Sequence, residues 1–196
     1  MSRTASPTLI EEAARIMCEQ GLVDFRSAKE KAAARLGCRV DVPMPSNIEI
    51  RDAVLGYQRL FGGEAYREQL RALRRTAVRA MRMLEAYRPR LVGAAVDGAV
   101  HHGHRVQIHA FSDAPEQLDF ELENHAIAFH TDERRYRGAR RGEFVHYPMV
   151  RFEAGEVGVD VTIFPETGIR QAPPSPVDGA PMKRLDRAAV ERLLEG

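Results

Sequence analysis

The sequence predicts an α+β protein, an N-terminal helical bundle followed by a small sheet with flanking helices, and three observations carry that reading. Apolar residues recur at helical spacing as far as Tyr87, they alternate with polar ones beyond Arg88-Pro89, and 44% of the chain is apolar, enough to build a core. A length of 196 residues fits one large domain or two small ones, and the change of period divides it into a helical domain (residues 1–87), an α+β domain (residues 88–165) and a tail (residues 166–196). No internal repeat is visible.

The helical domain reads as four helices. Ser6 followed by Pro7 sets an N-cap with proline at the first helical position, and Leu9, Ala13, Ile16 and Met17 keep one apolar face until Gly21. Asp24 caps a second helix, with Phe25, Ala28, Ala32 and Leu36 inward and Gly37 just past its end. Val42-Pro43-Met44-Pro45 breaks the pattern. Ser46 and Glu49 then form a capping box for a third helix that turns Ile50, Val54, Tyr57 and Phe61 inward before Gly62-Gly63 stops it. The fourth runs from Glu64 to Tyr87 on the stripe Tyr66, Leu70, Leu73, Ala77, Met81, Leu84 and Tyr87.

Beyond Pro89 the pattern is that of strands. Leu91 to Val96 is a short apolar run, and Val106, Ile108 and Ala110 alternate with Arg105, Gln107 and His109, so each set shares one strand face. Asp113 and Glu116 box the start of a helix that carries Leu118 and Leu122, with Phe120 a further candidate, and ends near Asn124-His125. Residues 143–152 and 157–164 are β-rich and form a hairpin around Glu153-Ala154-Gly155-Glu156. Five prolines in 165–182 predict an extended surface run before a last helix over 186–194.

Composition removes several function classes. Lys+Arg 29 against Asp+Glu 28 gives no global basic field, so a nucleic-acid contact has to come from a local patch. The N-terminus lacks an apolar core of signal-peptide length and no run reaches membrane length, which predicts a cytoplasmic chain without a membrane partner. Cys18 and Cys38 lack CxxC spacing and read as reduced core residues. The phosphate loop GxxxxGK[ST], a GxGxxG after a strand and the GxSxG elbow are all missing.

Two local features remain. His101, His102, His104 and His109 contain a His-x-His unit, but His102 and His104 reach a third ligand, His109 or Asp160, only if the turn folds back, so no metal is assigned. Basic residues gather on the fourth helix as Arg67, Arg71, Arg74, Arg75, Arg79 and Arg82, and again in a stretch that reads as a turn, Arg134-Arg135-Tyr136-Arg137-Gly138-Ala139-Arg140-Arg141. In that stretch the arginines suit phosphates and the ring suits a base, the chemistry of single-stranded RNA; the other reading is a solvated surface.

Val92-Gly93-Ala94, then Arg105-Val106-Gln107-Ile108, then Val159-Asp160-Val161 follow the order of three motifs, h-G-[GS], D-h-[DE]-h and h-[DE]-h. Over residues 85–165 the chain thereby resembles the polymerase-beta-like nucleotidyltransferase superfamily. The segments YRPRLVG and RQAPPSPVDGAPM also resemble those of small bacterial proteins labelled nucleotidyltransferase. The resemblance implies a small mixed sheet and a site where paired acids hold two Mg²⁺ ions on a nucleotide's phosphates. Here Arg105 and Gln107 stand in place of two of those acids; a guanidinium offers no lone pair, and its charge repels a cation.

The expectation is therefore a catalytically degenerate member that binds a nucleotide or RNA. Gly93, Ala94, Arg105, Gln107 and His109 are the phosphate candidates, and Arg134, Arg135, Tyr136, Arg137, Arg140 and Arg141 the RNA candidates. If the faces meet, Arg105 pairs with Asp160, either within a phosphate site or as a structural salt bridge. An active transferase is the alternative; it needs Mg²⁺, with Asp160 catalytic and Asp97 the nearest further acid. A third reading is an interaction protein whose helical domain docks a protein partner.

Overall fold

A computed structural model describes residues 5–39, 42–138 and 142–195. Packing divides the chain into two compact units, one of Met1–Leu70, Gly98–His104 and Pro176–Asp178, the other of Arg71–Asp97, Arg105–Ser175 and Gly179–Gly196. The division falls inside the fourth helix, ahead of the change of period at residue 88.

The first unit contains α1 (Pro7–Gln20), α2 (Phe25–Arg35), α3 (Asn47–Tyr57) and the start of α4 (Gly63–Met83). Gly21, at φ 66°, ends α1 in the left-handed conformation that glycine tolerates best. Ser6 precedes Pro7 as expected but makes no side-chain cap. The Asp24 carboxylate accepts from Ser27 N at 2.8 Å to open α2, and Ser46 with Glu49 forms the complete capping box of α3. Leu9, Ala13, Ile16 and Met17 of α1 pack with Ala28 and Ala32 of α2 and Ile50 and Val54 of α3.

Gly62-Gly63 does not stop the third helix. The chain passes through a π-helix, Gln58–Gly62, directly into α4. The widened turn takes Leu60 and Phe61 out of the apolar stripe, so Phe61, expected inward, is 70% exposed.

The second unit is built on a five-stranded mixed sheet in the order β1-β2-β5-β4-β3. Its strands are β1 (Arg90–Val92), β2 (Val106–Phe111), β3 (Phe129–Arg137), β4 (Phe144–Ala154) and β5 (Val157–Phe164). Strands β2 and β5 are parallel and the other neighbours antiparallel. Its helices besides α4 are α5 (Ala94–Asp97), α6 (Glu116–Asn124) and α7 (Arg187–Glu195).

The alternation expected for β2 and β5 sorts the sheet's two faces. Val106, Ile108, Ala110, Val159, Val161, Ile163, Val150 and Phe152 share the apolar face and are all buried. The other face carries Gln107 and His109 beside Asp160 and Thr162, then Arg151 and Met149 of β4. The faces that carry Arg105 and Asp160 therefore do meet.

Three expectations for this unit are revised. The arginine-rich stretch is not a turn: residues 134–137 belong to β3, and Arg140 and Arg141 lie outside the described residues. Asp113 forms no capping box with Glu116; its carboxylate accepts from Glu166 N at 3.0 Å, and α6 starts after Pro115. The proline-rich tail is not a plain surface run. It makes a 3-10 turn at Glu166–Arg170, bridges Pro174 to Pro181, and bonds Leu185 to Leu91 in both directions at 2.8 and 2.9 Å before Asp186 caps α7.

Candidate functional site

Hydrogen bonds from β3 to β2 shape the polar face. In a flat sheet these strands would stand about 14 Å apart, three spacings of roughly 4.8 Å. Yet Tyr136 Oη lies 3.0 Å from His109 Nε2, and Arg134 Nη2 donates to Gln107 Oε1 at 3.3 Å. The sheet is therefore coiled, and its polar face is concave.

At the centre of this face Asp160 accepts from Arg105 Nε at 2.7 Å and from Arg151 Nε at 3.3 Å. Arg105 also donates to Glu153 at 2.6 Å through Nη1 and to the Phe152 carbonyl at 3.2 Å through Nη2. Burial works against its charge, but the bonds to Glu153 and Asp160 prevail and raise its pKa. Gly158 makes room for the guanidinium, because a Cβ there would overlap Arg105. With all three nitrogens on protein acceptors, Arg105 is a strut between β5 and the end of β4. These bonds, rather than a phosphate, engage the candidate phosphate residue Arg105.

His109, another of the phosphate candidates, is closed off from solvent. It is fully buried, with Nε2 on Tyr136 and Nδ1 accepting from Arg184 Nε at 3.0 Å. Burial, and then the charges of Arg184 and Arg134, hold its pKa well below the usual histidine range. Tyr136 is 8% exposed and packed against His109, Phe164 and Tyr147, so its ring offers no face to a base. Arg135 and Arg137 stay exposed on the opposite face of β3, with Arg135 lying 4.4 Å over the Phe144 ring.

What remains together is Gly93, Gln107 and Arg134. Gly93, at φ 76°, turns the chain from β1 into α5, which Ala94 begins, and a Cβ on it would come 2.8 Å from Gln107 Oε1. Gln107 faces Asp160 in the β2–β5 register. Asp97 ends α5, exposed.

Among the described residues no group of three or more His, Cys, Asp or Glu is placed to hold a metal ion. His102 and His104 belong to the first unit. Nδ1 of His104 accepts from His101 N at 3.1 Å, and Nδ1 of His101 from Gly103 N at 3.3 Å. Burial pushes His101 down to about 3.

The basic stripe of α4 is largely committed to the fold: Arg67 pairs with Glu64 at 3.2 Å, Arg74 donates to the Ala95 carbonyl at 3.1 Å, and Arg82 pairs with Glu191 at 3.1 Å. A groove of about 400 Å³ lies further along β5 from Asp160, lined by Tyr147, Phe164, Gly168, Arg170 and Gln171. It holds one cation and no acid, so it carries none of the motif chemistry.

Sequence reasoning missed three residues of the face. Arg151 had a usable signal, since it sits at the same parity as Glu153 in a strand, two residues from the hairpin turn. Gly158 and Arg184 had none, because each acts on a partner far away in sequence. No protein-family model, no curated protein and no solved structure matches the chain.

Proposed function

We propose that the protein binds the phosphate of a nucleotide, free or at an RNA end, without a metal, on a nucleotidyltransferase-like sheet that has lost its acid pair. The observation that carries the reading is the convergence of Arg134 and Gly93 on Gln107 Oε1, with Arg134 Nη2 at 3.3 Å from it and the open side of Gly93 facing it. Where the superfamily pattern has a carboxylate, Gln107 is neutral and carries two amide hydrogens, so it donates to a phosphate rather than repelling it. Arg134 supplies the charge. Its planar guanidinium fits two phosphate oxygens at once, and an arriving phosphate would replace the Gln107 oxygen as its acceptor.

The Asp160 pairing supports the absence of a metal. Two guanidinium groups already neutralise that carboxylate, and Arg105 occupies the space a cation would need. Among the described residues this face offers no ligand set for group transfer through two Mg²⁺ ions, which favours binding over transfer. Calorimetric titration of the wild type and of Arg134→Ala with ribonucleoside triphosphates and a short RNA, all in EDTA, tests it. The expected loss in the variant is about tenfold or more, the value of one charge-assisted hydrogen bond. Equal affinity of a folded Arg134→Ala would remove Arg134 from the site.

A further inference from the structure

The sheet has two edges, and they are treated differently. The β1 edge is closed by Leu185, which bonds Leu91 in both directions. At the other edge β3 has β4 on one side and, among the described residues, no strand on the other. Thr131, Asp132, Glu133, Arg135 and Arg137 are all exposed along it.

The register decides which backbone groups face outward. Gly138 N donates to Glu143 O at 2.9 Å, so in this antiparallel pair the even-numbered residues of β3 turn their N–H and C=O toward β4. Thr131, Glu133, Arg135 and Arg137 therefore turn theirs outward. An independent contact agrees: Glu133 N donates to the neighbouring Asp132 carboxylate at 2.8 Å, which parks an outward N–H on a side chain.

We propose that β3 pairs antiparallel with β3 of a second copy of this chain, joining the two sheets into one across a two-fold axis at Arg134. The strand's own charges fit that partner. With Arg134 on the axis, Glu133 stands opposite Arg135 of the second copy, twice by symmetry, and both are residues whose backbone faces outward. Thr131 then faces Arg137 of the second copy, and Asp132 faces Tyr136. The like pair on the axis, Arg134 with Arg134, is mild, because each guanidinium is drawn away from the edge to Gln107 and has Asp132 of the other copy diagonally beside it.

Shifting the axis to Glu133 would set two exposed carboxylates directly against each other. In the isolated chain Glu133 leans to His146 at 3.5 Å and Arg135 covers Phe144, contacts weak enough to rearrange. This pairing does not depend on the nucleotide reading.

The test is sedimentation of the full chain over a wide concentration range, for the wild type, Glu133→Arg, Arg135→Glu and the double swap. The wild type is expected to dimerise. Each single reversal should weaken the dimer about tenfold, since two attractive cross-strand pairs become repulsive, and the swap should restore it. Circular dichroism checks that each variant is folded. A wild type that is monomeric at every concentration, a dimer indifferent to both reversals, or a swap that restores nothing would each overturn the proposal.

Discussion

Arg184 donates its Nε hydrogen to Nδ1 of His109 at 3.0 Å, which fixes the tautomer of that ring. A guanidinium only donates, so the neutral imidazole carries its proton on Nε2 and gives it to Tyr136 Oη at 3.0 Å. The phenol oxygen also lies 3.3 Å from Thr162 Oγ1, in a hydroxyl pair where either group can donate. Arg184 is held by the Gly168 carbonyl at 2.7 Å and lies 4.9 and 5.1 Å from the Phe111 and Phe164 ring centres. A residue of the C-terminal segment thus organises the interior of the polar face.

Replacing Arg184 with Met keeps an apolar stem but removes the donor, and leaves His109 Nδ1 buried without a partner. The expected loss is about 2 kcal/mol, read from the urea midpoint. An unchanged midpoint would show that the chain of bonds carries little stability.

Acid should weaken the fold early. Burial lowers the pKa of His101, His104 and His109 in the folded state, so the unfolded chain binds protons first, beginning near the unperturbed value of about 6.5. Stability is fully present above that pH and is lost as pH falls below it toward the folded values, by about 1.4 kcal/mol per pH unit for each histidine. Melting temperatures at pH 7, 6 and 5 check the sign; a flat profile across this window would contradict the buried neutral rings.

Gly158→Ala should displace the Arg105 guanidinium rather than the backbone, because the overlap is with the end of that side chain. The expected cost is about 2 kcal/mol, in the range of overpacked sites. In an Arg105→Ala background the same change should cost much less, a coupling that a double-mutant cycle reads directly. Additive losses would mean that Arg105 does not lie on Gly158.

Much of this architecture was legible because it is local. The capping box Ser46/Glu49, the Asp24 cap and the hairpin around Gly155 depend on neighbours in sequence, and the alternation of β2 is enough to place Gln107 and His109 on one face. Strand β3 was not legible, since FHTDERRYR is charged on both faces, as a free edge permits, and lacks the apolar alternation that marks a strand. Phe61 was misplaced because a π-helix shifts the helical phase by one residue. The site was half legible: the Arg105–Asp160 pairing followed from parity, whereas the further bonds of Arg105 depend on Glu153 and Phe152 across a hairpin, and the partner of His109 Nδ1 is an arginine 75 residues away.

Asp160→Ala should destabilise the protein by about 1 kcal/mol, because Arg105 and Arg151 lose their shared acceptor while Arg105 keeps Glu153 and Arg151 keeps Asp132 at 3.6 Å. Added Mg²⁺ should change neither the wild-type nor the variant melting temperature. A rise with Mg²⁺ in the wild type that disappears in the variant would identify Asp160 as a metal ligand instead.

The most direct measurement is calorimetric titration of the purified chain with each of the four ribonucleoside triphosphates and with a short 5′-phosphorylated RNA, once with Mg²⁺ and once with EDTA. Binding of at least one of them that persists in EDTA is the expected result. Binding that requires Mg²⁺, or no binding of any of them in either condition, would contradict metal-free phosphate binding.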